Sequence, residues 1–135
     1  MTERAGVVLD ASAVLALLHD EAGADRVERA LAAGAAISAL NWAEVLAKLI
    51  VEGGDPHAVV AMALPGEPGS PLDLVPFDEQ QARDSAQLVR QTRGLGLSLA
   101  DRAALALASS RRLPVLTTDR AWKSLRLPIK IEVIR

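Results

Sequence analysis

Short, largely apolar runs, Val7-Val8-Leu9, Ala35-Ala36-Ile37 and Val115-Leu116-Thr117, are separated in this chain by segments long enough for helices. A run without polar alternation is buried on both faces, the condition of a strand inside a parallel sheet that helices cover. Leu72 to Phe77 and Ile131 to Ile134 are read as two further strands. Between them the pattern predicts helices over Ala13 to Leu18, Ala22 to Ala33, Leu40 to Val51, Asp78 to Arg93 and Leu99 to Ser109. Another starts at Asp55-Pro56, a cap followed by Pro at the first helical position, and fades before Pro65. Gly53-Gly54 stops one helix, and Gly94 and Gly96 stop another. Residues 65–71, with three Pro and two Gly, read as a loop. In the helix over Asp78 to Arg93, Ala82, Ala86 and Val89 are spaced as one face. Strands alternating with helices throughout call for an α/β fold, a parallel sheet with helices on both faces.

At 135 residues the expectation is a single domain over 1–135, with no repeat, linker or low-complexity segment. The absence of Cys excludes disulfide scaffolds, thiolate zinc sites and cysteine nucleophiles together. A net charge of −2 excludes a strongly basic nucleic-acid binder, although seven basic residues crowd the stretch from Arg111 to Arg135 against two acids. Three aromatic residues, Trp42, Phe77 and Trp122, are too few for a base-stacking platform, and Trp122 reads as a packing anchor. Arg4 ahead of an apolar stretch imitates a signal peptide, but Asp10 interrupts its core and no apolar run reaches membrane length. The chain therefore reads as soluble and cytoplasmic.

In open parallel sheets, ligands bind beyond the carboxyl ends of the strands. Asp10 ends the first strand and Asp119 follows the strand at Val115; Glu44 and Asp101 lie in the first turns of helices. All four fall on the same edge, so carboxylates from distant parts of the chain can meet there. Each also has a plainer role. Asp10 can cap the next helix, and Asp119 can shape a turn. Ser98-Leu99-Ala100-Asp101 fits a capping box, as does Asn41-Trp42-Ala43-Glu44 in looser form, and Glu44 stands four residues before Lys48 in the order that favours a surface ion pair. Two arguments favour a joint role. Asp101 is the only acid between Leu95 and Ser110, in a helix apolar enough to be buried, where a lone carboxylate is costly. Four like charges at one edge also need a cation, and hard oxygen ligands select Mg2+ or Mn2+, ions that activate water and neutralise a phosphodiester under in-line attack. Ser12 and Thr117 flank Asp10 and Asp119 and are placed either to orient a metal-bound water or to cap. His19 and His57 are read as surface residues away from this edge.

These residues resemble a known family. Residues 7–18, VVLDASAVLALL, look like the opening of PIN domains, and Asn41-Trp42-Ala43-Glu44-Val45, residues 97–102 (LSLADR) and residues 116–122 (LTTDRAW) look like its other acidic motifs, in the right order. The resemblance spans essentially the whole chain and is nearest to the VapC type, the toxin half of bacterial toxin–antitoxin pairs. It implies a three-layer α/β/α sandwich and a divalent-metal-dependent endoribonuclease. It assigns Asp10, Glu44, Asp101 and Asp119 to the metal site, with Ser12 and Thr117 in support. It also implies a homodimer held in check by a cognate antitoxin.

Other readings fare worse. A haloacid-dehalogenase-like phosphatase needs a second acid two residues after the first, where this chain has Ser12. A phosphoacceptor receiver domain needs an acid ending a central strand, which Ala36-Ile37-Ser38 does not offer. A PIN nuclease of RNA processing with no antitoxin is the remaining alternative, separable by a small neighbouring reading frame.

Overall fold

The computed structural model describes residues 5–63, 67 and 69–135. The loop read at 65–71 lies partly outside the described residues, and so does Arg4. Five strands, β1 (Val7–Leu9), β2 (Ala35–Ser38), β3 (Leu72–Val75), β4 (Val115–Thr117) and β5 (Ile131–Val133), form one parallel sheet in the order β3-β2-β1-β4-β5. Among the described residues six α-helices join them: α1 (Ala11–Leu18), α2 (Ala24–Ala33), α3 (Ala39–Val51), α4 (Pro56–Ala63), α5 (Glu79–Gln87) and α6 (Leu99–Arg111). A 3-10 turn over Arg120–Ser124 follows β4.

Successive side chains of a strand point to opposite faces, and here both faces are apolar. Leu9, Ile37 and Leu116 join a core with Val14, Val27, Trp42 and Val45 of α1, α2 and α3. Val8, Ala36 and Val115 join a second core with residues 104–108 of α6 and with Trp122, which is the anchor its position suggested. The result is the three-layer sandwich with a central parallel sheet. Among the described residues no helix is long and apolar enough to cross a membrane.

The face predicted for α5 is wrong. Ala82, Ala86 and Val89 are exposed, while Ser85, Leu88 and Thr92 are buried. The true stripe lies one residue out of phase, about 100° around the helix. The physical reason is the partner: α5 lies along α6, whose inward surface is largely alanine, so the two approach closely and a small Ser85 fits the contact. The helix also ends at Gln87, and the chain continues in turns to Gly96.

Gly23 caps α2 with φ +98°, and a Cβ there would stand 2.7 Å from the carbonyl oxygen of Ile134. Nearby, Arg26 donates to Glu132 of β5 at 2.6 and 3.3 Å. Gly23→Ala is expected to destabilise the chain by more than ~1 kcal/mol, from φ strain and the clash together, as a lowered denaturant midpoint.

Candidate functional site

The strands run outward from β1 to β2 and β3 on one side, and the chain then returns to β4 and β5 on the other, so the switch point of the sheet, where ligands bind in open parallel sheets, lies between β1 and β4. Asp10 stands at that point. It is the N-cap of α1 with extended backbone, and its Oδ1 accepts from the Ala13 amide at 2.9 Å. The capping role is therefore real, yet it uses only part of the carboxylate. Ser12 Oγ donates to Oδ1 at 2.7 Å, and Thr117 Oγ1, at the end of β4, donates to Oδ2 at 2.6 Å. Each hydroxyl also accepts from a backbone amide, Ser12 from Thr118 at 2.9 Å and Thr117 from Asp119 at 3.1 Å. Each hydroxyl has one proton, and both protons go to Asp10. Ser12 and Thr117 thus hold Asp10 and stitch the start of α1 to the end of β4.

Asp10 is only 3% exposed. Burial pushes its carboxyl up to about 6 from an ordinary 3.8, against the hydrogen bonds from Thr117, Ser12 and Ala13, with the charge of Asp101 adding to the rise. Glu44, expected in the first turn of its helix, lies in the second turn of α3 because the helix already starts at Ala39; it also has a raised carboxyl pKa, through partial burial and then the Asp101 charge. Asp101 therefore acts electrostatically on both, and these three carboxylates share one field. The buried carboxylate is Asp10; Asp101, expected to be the costly buried one, is half-buried because α6 starts at the sheet edge.

Asp101 also completes a full capping box: the Asp101 amide donates to Ser98 Oγ at 3.1 Å and the Ser98 amide to Asp101 Oδ2 at 3.0 Å. Asp119 is exposed at the same edge, one residue beyond Thr118, and its Oδ1 accepts from the Ala121 amide at 3.0 Å, capping the 3-10 turn. The looser box at Asn41–Glu44 does not exist, because α3 begins earlier, with Ser38 as its cap. No ion pair joins Glu44 to Lys48 among those of the described residues, since an exposed pair gains little for the side-chain freedom it gives up. His57 is exposed in the first turn of α4, and His19 pairs with Glu52 at 2.8 Å.

Asn41 was visible in the sequence only as a cap, and its place is different. It lies inside α3, 1% exposed, with Oδ1 accepting from the Ala11 amide at 3.2 Å and Nδ2 donating to the Ala100 carbonyl at 3.1 Å. The signal that marks it is a polar residue on the apolar stripe that Trp42 and Val45 belong to.

Among the described residues, no three carboxylates or imidazoles form a ready-made cage for a cation. The carboxylates of Asp101 and Asp119 are folded back onto the Ser98 and Ala121 amides, which accounts for this. The donor set nevertheless suits a hard divalent ion. Its oxygens come with no imidazole or thiolate, Oδ2 of Asp10 keeps a free lone pair beyond its bond to Thr117, and the charge of Asp101 disfavours the ionised forms of both Asp10 and Glu44. Mg2+ retains several waters and takes one or two carboxylates, so it needs no closed protein cage.

The family model of the PIN domain matches residues 7–127. Among solved structures, a DNA-bound VapBC from Salmonella typhimurium is similar at TM-score 0.70 and 20% identity, over 96% of this chain and 98% of that one. A toxin–antitoxin complex from Klebsiella pneumoniae gives TM-score 0.68 and 19% identity, over 93% and 99%. VapC20 of Mycobacterium tuberculosis, described as a Sarcin-Ricin loop cleaving toxin, gives 0.69 and 15%, over 92% and 98%. No curated sequence matches the chain.

Proposed function

Because this chain belongs to the PIN domain family, we propose that it is a divalent-metal-dependent endoribonuclease that acts as the toxin of a toxin–antitoxin pair. The observation that carries this reading is the buried Asp10 carboxylate, oriented by two hydroxyls and one amide and sharing its field with Asp101 at the switch point of the sheet. Asp10, Glu44, Asp101 and Asp119 would hold Mg2+ or Mn2+. When bound, such an ion supplies an activated water and neutralises charge on the phosphodiester. Ser12 and Thr117 keep the Asp10 carboxylate in one orientation. Arg120 and Lys123, exposed just past Asp119, attract the phosphates of an RNA strand to the same edge.

The toxin role draws support from the likeness to VapBC complexes and to an RNA-cleaving toxin. On that reading the partner is a cognate antitoxin that covers the acidic edge, and both act in the cytoplasm, where RNA is the substrate. The test is inducible expression of wild type and Asp10→Asn in bacteria, with mapping of RNA ends, and cleavage of the mapped RNA by purified protein. Growth arrest and new ends in wild type alone are expected, with cleavage in vitro requiring Mg2+ or Mn2+. Cleavage that persists in excess EDTA and metal-free buffer refutes the site as drawn.

The assembly proposed is a homodimer, as two-fold pairs are the commonest form of soluble oligomer. Light scattering at micromolar concentration is expected to give twice the 14.2 kDa of one chain. A purely monomeric species refutes it.

A further inference from the structure

The three carboxylates that share one field come from three separate helices, α1, α3 and α6, and the repulsion of Asp101 against the other two works to spread these helices apart. Something must hold them. The cap at Asp10 and the box at Ser98 each stabilise one helix start from within, and neither spans the gap between them.

Asn41 does span it. Ala11, whose amide it receives, directly follows Asp10; Ala100, to whose carbonyl it donates, directly precedes Asp101. Glu44 stands one turn further along the same helix. One buried amide thus touches the backbone beside two acids from the helix that carries the third. Its two ends match their partners without freedom to exchange, since the Ala11 amide only donates and the Ala100 carbonyl only accepts. The Ala11 amide is moreover in the first turn of α1, where no intrahelical acceptor exists, so Asn41 satisfies a donor that nothing local reaches.

We propose that Asn41 is a positioning residue that fixes the spacing of Asp10, Glu44 and Asp101 and so pre-organises the acidic edge for a divalent ion. The inference rests on reading that edge as a metal site. A polar residue retained only for packing would affect stability and leave ion binding alone, and this difference is what the experiment measures.

Mn2+ binding to the full chain is followed by electron paramagnetic resonance for wild type, Asn41→Ala, Asn41→Leu and Leu72→Ala, with folding of each checked by circular dichroism. Leu fills the volume of Asn without its hydrogen bonds, and Ala admits water. Both Asn41 variants are expected to bind Mn2+ 10–100-fold more weakly than wild type, the usual effect of losing an outer partner of a metal site. Leu72→Ala, which opens a cavity at the start of β3, the opposite end of the strands from the acidic edge, should bind as wild type does. Wild-type affinity in both Asn41 variants overturns the inference. Failure of wild type itself to bind Mn2+ overturns the metal reading, and the inference with it, and that failure is distinct because it is seen without any Asn41 variant. Where the variants do not fold, amide exchange in metal-free wild type decides: the Ala11 amide should be protected to the level of Val14, and rapid exchange overturns the proposal.

Discussion

Asp10→Asn is expected to abolish RNA cleavage and, in EDTA at neutral pH, to make the protein more stable than wild type. The two effects have one cause. Asp10 is ionised at pH 7 although it is buried, and its carboxyl is held up to about 6 in the folded chain against 3.8 ordinarily. The folded state then binds a proton more tightly than the unfolded state, so metal-free wild type loses stability as pH rises from about 4 to about 6. The loss from this group alone is ~3 kcal/mol, at 1.36 kcal/mol per unit. Asn removes the charge and keeps an oxygen for Ser12 and the Ala13 amide, while its NH2 faces Thr117 Oγ1, so the variant should recover up to that amount and lose the slope between pH 4 and 6. Melting curves across this range, with and without Mg2+, check it. Mg2+ should raise the melting temperature of wild type by mass action and do little for the variant. An Asn variant that is clearly less stable than wild type in EDTA at pH 7.5 would show that the buried charge is no burden.

Asp101 has two roles in the structure, and a pair of variants separates them. Asp101→Ala removes both the charge and the acceptor for the Ser98 amide, a capping loss of about 0.5–2 kcal/mol. Asp101→Asn keeps an acceptor at that amide and removes the charge that bears on Asp10 and Glu44. In EDTA the Asn variant should match or exceed wild type in melting temperature while the Ala variant falls below it. Both should lose cleavage and most of the Mg2+-induced stabilisation. Cleavage retained in Asp101→Asn, with the ion shifting it as it shifts wild type, would leave Asp101 only its cap.

The layer order was legible in the sequence because its signal is local. Three-residue apolar runs such as Val7-Val8-Leu9 have one way to be buried on both faces, and Asp10 at the end of such a run falls on the ligand-binding edge. What stayed hidden depends on partners far along the chain. The rotation of α5 follows from the alanines of α6, which no periodicity within Ala82 to Val89 encodes. The role of Asn41 depends on Ala11 and Ala100, |i−j| of 30 and 59 away. The burial of Asp10 rather than Asp101 follows from Thr117 closing over it and from α6 starting at the rim, both products of strand pairing. Ser98–Asp101 was readable as a box because the motif is four residues long.

The order of the sheet also has a bearing on when the acidic edge comes into being. Thr117, which donates to Asp10, is synthesised 107 residues after it, and β1 pairs with β4 across the same gap. A nascent chain that has left the ribosome as far as α6 carries Asp10, Glu44 and Asp101 but lacks the strand that closes over the first of them. Contacts at such separation form late, because the entropy of closing a long loop must be met before they return anything. A product that stops short of β4 therefore contains Asp10, Glu44 and Asp101 without the hydroxyl that holds the first of them, and the edge is completed in one step, when β4 pairs with β1.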